Sequence, residues 1–404
     1  MGKLIHLLAL MSTLVSTNCL ERDIDEPLFL SEFILAGDYS AARNLSVVRH
    51  KEMDWLTSHA GYITVNKQLS SNMFFWYFPA KYGASTAPLV LWLQGGPGSP
   101  SMHGIFKANG PFAIGSDRTL KSRKHSWHFR HNLLYIDNPV GELGSALLHT
   151  MLAIRRTRTI SAQICTISYA GKYALALGHT ILKNAPSSVD KTKINLQGLA
   201  IESGFIDPVN MLNYGDILYH NGMIDSKNTV FTNLTGSSNY YNTLLEDNYD
   251  FSVVDEFMNR PDVRQAINVG TVEYQPNEFN NLHLHEEDRK VEFSLKRDIM
   301  QSVTPWLSEL LKHHKVFLFN GQLDILCGYS LSENSLKKLK FNGAEEYQVA
   351  ERRIWRVDNE VAGYVKEAGK LTEIVVRNAG HYVSIDQPKW VLDILTKLTS
   401  GEGF

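Results

Sequence analysis

The stretch TISYAGKYALA, Thr166 to Ala176, decides how this chain is to be read. An apolar run over residues 160–167 leads into it, and residues 169–182 continue with the spacing of a helix. A strand that stops at a serine, with a helix opening directly after it, holds that serine on a sharp turn with its hydroxyl exposed. Thr166 is the discordant residue, because glycine two places before the serine lets strand and helix pack closely around such a turn. A β-branched side chain there threatens to tilt Ser168 by about an ångström, a displacement that costs ~10²-fold in rate at a reacting centre.

Working outward, short apolar runs recur at residues 72–78, 89–94, 133–137, 160–167, 194–201, 316–320 and 374–377. Most are nearly continuous rather than alternating, which predicts strands buried on both faces of a mostly parallel, doubly wound sheet. Helices are expected at 169–182 and at 388–398, the second with Pro388 in its first turn, where a missing N–H costs least. Between about residues 205 and 301 the pattern loosens, with one clear helix at 253–269. This region reads as a cap insertion over the strand ends. The fold class is therefore α/β.

Three residues stand just past predicted strand ends: Ser168 after 160–167, Asp324 after 316–320 and His381 after 374–377. In a doubly wound sheet such positions converge on one edge, where ligands bind. A serine hydroxyl needs an imidazole to take its proton, and a carboxylate to orient the ring and stabilise the imidazolium. Each residue alone is ordinary: a cap, a satisfied histidine, a turn aspartate. The three together, in the order Ser, Asp, His, are the α/β-hydrolase set. Gln94-Gly95-Gly96-Pro97-Gly98 follows another strand, and its glycines let backbone approach a substrate. The N–H groups of Gly96 and Tyr169 are the candidate oxyanion donors, and Gln94 and Gly95 the candidate substrate contacts.

The motifs WLQGGPGS, YIDNPVG, SYAGKY, NGQLDI and GHYVSIDQP resemble the serine carboxypeptidases, and EPLFLSEFILAG and AGYITVN resemble the vitellogenic-like branch. The resemblance runs from about Glu26 to Leu398. It implies an α/β-hydrolase fold with a helical cap, a Ser168–Asp324–His381 triad and release of C-terminal residues from peptides with a free C-terminus. It implies no cofactor. Where the family has Gly-Glu before the serine, this chain has Thr166-Ile167, and Ala108 in GIFKANGP replaces a second acid; both acids serve recognition of the substrate's terminal carboxylate. The segment between Gly141 and the elbow is short, Glu142 to Thr159, with a helix expected at 145–154. A second gap lies near Ser226–Thr229, and Ser237 stands where relatives tend to have cysteine. Two readings therefore stand beside carboxypeptidase: an inactive homologue that binds peptide or protein in the secretory pathway, and an acyl-enzyme esterase or acyltransferase.

The rest of the chain sets the setting. Its 404 residues make a chain with a real core, at 44% hydrophobic residues. Forty basic residues against 42 acidic leave little net charge, and nucleic acid is not an expected partner. Lys3 precedes an apolar run over 4–15 and a small, polar zone, which reads as a signal peptide over residues 1–19, with the hydrolase domain at 20–404. No later run suits a membrane span. The sequons at Asn44 and Asn233 suit a secreted or lysosomal glycoprotein. Cys165 and Cys327 remain in the mature chain, and whether they pair is open. The His283–Asp288 cluster lacks a defined ligand spacing and reads as a solvated loop; no metal is expected.

Overall fold

Alternation along each strand explains the centre of the molecule. Leu89, Leu91 and Leu93 join one buried cluster with Ile164, Leu199 and Leu318. Val90 and Trp92, between them in sequence, join the other with Cys165, Ala200, Phe317 and Phe319. Successive side chains point to opposite faces of a strand, so these runs have to be covered on both sides.

The computed structural model describes residues 24–115, 117–138, 159–183, 193–220, 222–224, 239–275 and 290–404. Its strands are β1 (His59–Asn66), β2 (Ser71–Phe78), β3 (Leu89–Leu93), β4 (Phe112–Ile114), β5 (Leu120–Ser122), β6 (Asn132–Ile136), β7 (Thr159–Ile167), β8 (Lys193–Glu202), β9 (Lys315–Gly321), β10 (Arg353–Val357), β11 (Glu360–Ala368) and β12 (Leu371–Val376). All but the β4–β5 pair form one sheet, in the order β1-β2-β6-β3-β7-β8-β9-β12-β11-β10. The run from β6 to β12 is parallel throughout. Antiparallel pairs flank it at both edges.

Helices Ala170–Lys183 and Thr304–His313 cover the first face through Ala174, Leu177, Leu307, Leu310 and Leu311. Helix Pro388–Ser400 covers the second through Trp390, Val391, Ile394, Leu395 and Leu398. Each of these leucine, isoleucine and valine side chains contributes about 1.5–3 kcal/mol on burial. β3 lies between β6 and β7, its neighbours in space but not in sequence. The chain leaves β3 toward one side and continues from β7 toward the other, which opens a crevice beyond their carboxyl ends.

The strands expected from the apolar runs are all present, and the α/β-hydrolase sheet follows from them. The expected helix at 253–269 is instead two, Ser252–Met258 and Pro261–Ala266. Pro261 is the cause: it donates no N–H and holds the residue before it extended, and Arg260 has φ −61° and ψ 131°. Helices Tyr214–His220 and Lys290–Ile299 also lie between β8 and β9, where one clear helix was expected. The signal-peptide segment, the expected helix at 145–154, Asn233, Ser237 and the His283–Asp288 cluster fall outside the described residues. Among the described residues no helix is long and apolar enough to cross a membrane.

Leu310 is wholly buried, and its methyl groups would meet a Cβ added at Gly178 across the helix pair. Leu310→Ala is expected to cost about 2–5 kcal/mol, read as a lower urea midpoint at unchanged m-value.

Candidate active site

The elbow after β7 is formed in spite of Thr166. Thr166 stays in register, paired with Leu93 on one side and Ile201 on the other. Ser168 then takes φ +59°, in the left-handed region that non-glycine residues rarely occupy. Its N–H donates to the main-chain carbonyl of Glu202 (2.9 Å), and its carbonyl accepts from Gly171 (2.9 Å) and Phe205 (3.1 Å). These bonds replace the ladder that ends at Ile167. The threonine's cost appears elsewhere: its hydroxyl is buried with no hydrogen-bond partner. Such a group costs about 1–3 kcal/mol.

Asp324 and His381 are brought together by the parallel pairing of β9 with β12. His381 Nδ1 lies 2.9 Å from Asp324 Oδ2, and both side chains are buried. Asp324 Oδ1 accepts from the N–H of Cys327 (3.1 Å), so the carboxylate is held at both oxygens. The loops that carry the pair nearly touch. A Cβ on Gly321 would lie 2.0 Å from the Gly380 carbonyl and 2.4 Å from that of Ala379. The N–H of His381 donates to Tyr241 (2.6 Å). Asp386 fixes the residue before it, accepting from Gly380 N–H (2.7 Å), Tyr249 (2.6 Å) and Asn242 (3.1 Å).

Gly95 has to be glycine for a similar reason. A Cβ there would sit 2.7 Å from the Ile167 carbonyl, 2.8 Å from Ser168 Cβ and 3.0 Å from the Tyr169 nitrogen. The loop after β3 thus lies directly against the elbow. Gly96 follows at φ +108°. Ser101, which the sequence reading passed over, pins this loop: its hydroxyl accepts from Gln94 N–H (3.1 Å) and donates to the Ile136 carbonyl (2.6 Å). Its own N–H donates to Asp137, whose carboxyl is pushed up to about 7 by burial. Gln94 is buried, and its amide oxygen accepts from Trp92 Nε1 (3.0 Å). Tyr169 and Lys172 both bond Asp298, and Lys172 Nζ also donates to the Gln301 carbonyl (2.6 Å).

Ile167 and Ala108, where the resemblance has acids, are both buried in the same apolar cluster. Ala108 ends the π-helical turn Gly104–Ala108. Cys165 and Cys327 are buried free thiols, which settles the open pairing against a disulfide. Among the described residues, His50, Glu52 and Asp262 form the one group with metal-ligand types. Arg260 already bridges Glu52 and Asp262 at 2.7 Å each, so this is an ion-pair network with its cation in place.

This fold and this edge define the class. The family model "Serine carboxypeptidase" matches residues 50–143, 156–246 and 232–401. The chain is 42% identical to a venom serine carboxypeptidase of Apis mellifera, over 95% of this chain and 93% of that one. It is 37% identical to the vitellogenic carboxypeptidase of Aedes aegypti (93% and 90%), and 35% identical to the probable serine carboxypeptidase CPVL of Homo sapiens (95% and 91%). Among solved structures it is similar to Kex1(delta)p, a prohormone-processing carboxypeptidase from Saccharomyces cerevisiae. There the TM-score is 0.73 at 24% identity, over 89% of this chain and 96% of that one.

The chain therefore belongs to the serine carboxypeptidase family of α/β hydrolases. The family match passes over residues 144–155, inside the stretch where the sequence reading expects a shortened crossover.

Thr166→Val keeps the shape of the side chain and removes the unpartnered hydroxyl. It is expected to stabilise the protein by roughly 1 kcal/mol in urea unfolding, with the elbow intact. A loss of stability would mean that the hydroxyl is bonded in solution.

Proposed function

We propose that this chain hydrolyses peptides from a free C-terminus through an acyl-enzyme, with Ser168 as nucleophile, His381 as general base and Asp324 as the group that orients the ring. The observation that carries this is the buried Asp324–His381 pair at 2.9 Å, on the same sheet edge as a serine at φ +59°. With Nδ1–H donating to Asp324, His381 Nε2 is the nitrogen that accepts a proton. Ser168 Oγ attacks the substrate carbonyl carbon as its proton passes to Nε2. The oxyanion is met by the N–H groups of Gly96 and Tyr169. Collapse breaks the C–N bond, His381 hands its proton to the leaving amine, and water repeats the sequence on the ester. Gln94 and Gly95 line the substrate side.

The site of action proposed is the secretory pathway, outside the cell or in lysosomes, after removal of residues 1–19. Asn44, exposed on helix Tyr39–Leu45, and Asn233 are the proposed glycosylation positions. The segment at 205–301 is proposed to act as the cap. No cofactor is called for, since every proton and electron pair in the sequence stays on the triad and substrate.

A second reading concerns outcome rather than mechanism. Ile167 and Ala108 are apolar and buried, so two groups that would hold a terminal carboxylate are replaced by core packing. A site that loses such hydrogen bonds loses discrimination. Ester hydrolysis, internal cleavage or acyl transfer would then accompany exopeptidase action.

Both readings are tested together. A fluorophosphonate probe is expected to label the purified protein, and Ser168→Ala to abolish the labelling. Free-acid and C-terminally amidated peptides are then compared by kcat/KM; a ratio near one supports the second reading, and a strong preference for the acid supports the first. No labelling of a folded protein would leave a carboxypeptidase by descent that binds without turnover.

A further inference from the structure

Glu202 is the last residue of β8 and pairs with Ile167 at the end of β7. Its main-chain carbonyl accepts the N–H of Ser168. Its side chain is wholly buried, and Oε1 accepts from both the N–H of Ser384 (2.9 Å) and its hydroxyl (3.1 Å). Oε2 has no partner. Ser384 lies three residues beyond His381, in the short helix Val383–Asp386. One residue is thus bonded by its backbone to the turn that carries the serine, and by its carboxyl group to the segment that carries the histidine. The steps proposed for hydrolysis do not use it.

We propose that Glu202 is a positioning residue whose buried carboxyl group sets the spacing between the Ser168 turn and the His381 segment. The proposal rests on the hydrolase reading above and deepens it. Spacing matters because proton transfer requires Ser168 Oγ and His381 Nε2 within hydrogen-bond reach, and about an ångström of misplacement costs ~10²-fold in rate.

The same contacts make the device sensitive to pH. Burial, reinforced by the nearby Asp386 charge, pushes the Glu202 carboxyl up to about 8, against partial compensation from the Ser384 donors and the Val383 N–H. Cys165 on β7 and Tyr382 and Asp386 on the His381 segment face it, and none of them carries positive charge. The folded state therefore binds one more proton than the unfolded state between the ordinary carboxyl range and about pH 8. Stability from this group is fully present below the ordinary value and falls as pH rises through the folded one. Above it, an unpaired negative charge sits between the two halves of the site, and the segment has to open to hydrate it.

The test uses Glu202→Gln, Glu202→Ala and Ser384→Ala in the full chain, with kcat and KM followed from about pH 5 to about pH 9. Glu202→Gln is neutral at every pH and keeps the shape, so it is expected to retain kcat in acid and to move the alkaline fall of kcat to higher pH. Glu202→Ala is expected to lower kcat by ~10–10²-fold with KM nearly unchanged. The double variant Glu202→Ala/Ser384→Ala is expected to be no worse than Glu202→Ala alone, because the two share one interaction. Glu202→Gln profiles that superimpose on the wild type, or additive losses in the double variant, would overturn the proposal.

A second measurement is independent of turnover. The thermal midpoint of the wild type is expected to fall relative to Glu202→Gln as pH rises over the same range. An inert wild type would defeat the hydrolase reading rather than this one. Parallel midpoint curves would then overturn the proposal, and diverging curves with non-additive unfolding of the Glu202 and Ser384 variants would support it.

Discussion

The hydrogen bond from Ser168 N–H to the Glu202 carbonyl is the constraint on which the site depends. It ties β7 to β8 after their ladder has ended and holds Ser168 in the left-handed region, at a cost of about 1–2 kcal/mol. The chain can bend so tightly only if nothing intrudes on either side. Gly95 meets the elbow from β3, and Gly171 meets Ile201 and Ile206 from within the helix. The Gly321 and Gly380 loops meet each other in the same manner. At the Gly95 and Gly321 contacts backbone is packed directly against backbone.

That arrangement explains how the chain departs from its family's pattern and still closes the same turn. Thr166 is accommodated because its backbone obeys the sheet on both sides, and only its hydroxyl is left over. Ile167 and Ala108 are accommodated more cheaply, since each completes an apolar cluster that already surrounds it. Two kinds of substitution are thereby separated. One disturbs the turn that holds the serine, and the sheet absorbs it; the other puts apolar side chains into a buried cluster where the resemblance has acids.

Much of the fold was legible because parallel strands buried on both faces advertise themselves as apolar runs. β10 was not, because only Trp355 in it is buried; in β11 the buried Ala362, Gly363, Val365 and Ala368 are interrupted by part-exposed residues and by Lys366, so it does not read as an apolar run. The split near Pro261 was readable from the proline and was missed under an otherwise helical spacing. Ser168, Asp324 and His381 could be singled out because each stands at a strand end, a local signal. Ser101, Ser384 and Asp386 carry no such signal, and Glu202, although it stands just past the apolar run 194–201, gives no local sign of its partner. Glu202 meets Ser384 across 182 residues, and only the folded sheet brings them within 3 Å.

Lys172 has a consequence for how the molecule varies. It sits in the first turn of the helix after the elbow, and its ammonium group holds the carbonyls of Asp298 and Gln301 at 2.6 Å each. The chain that leaves β8 is thereby clamped at the point where it returns toward β9. The chain between departure and clamp can vary without shifting how Thr304–His313 docks beside Ala170–Lys183, except at Tyr241, Asn242 and Tyr249, which hold the His381 loop. Variation in this segment is thereby bounded at two places, the Lys172 clamp and the contacts to the His381 loop.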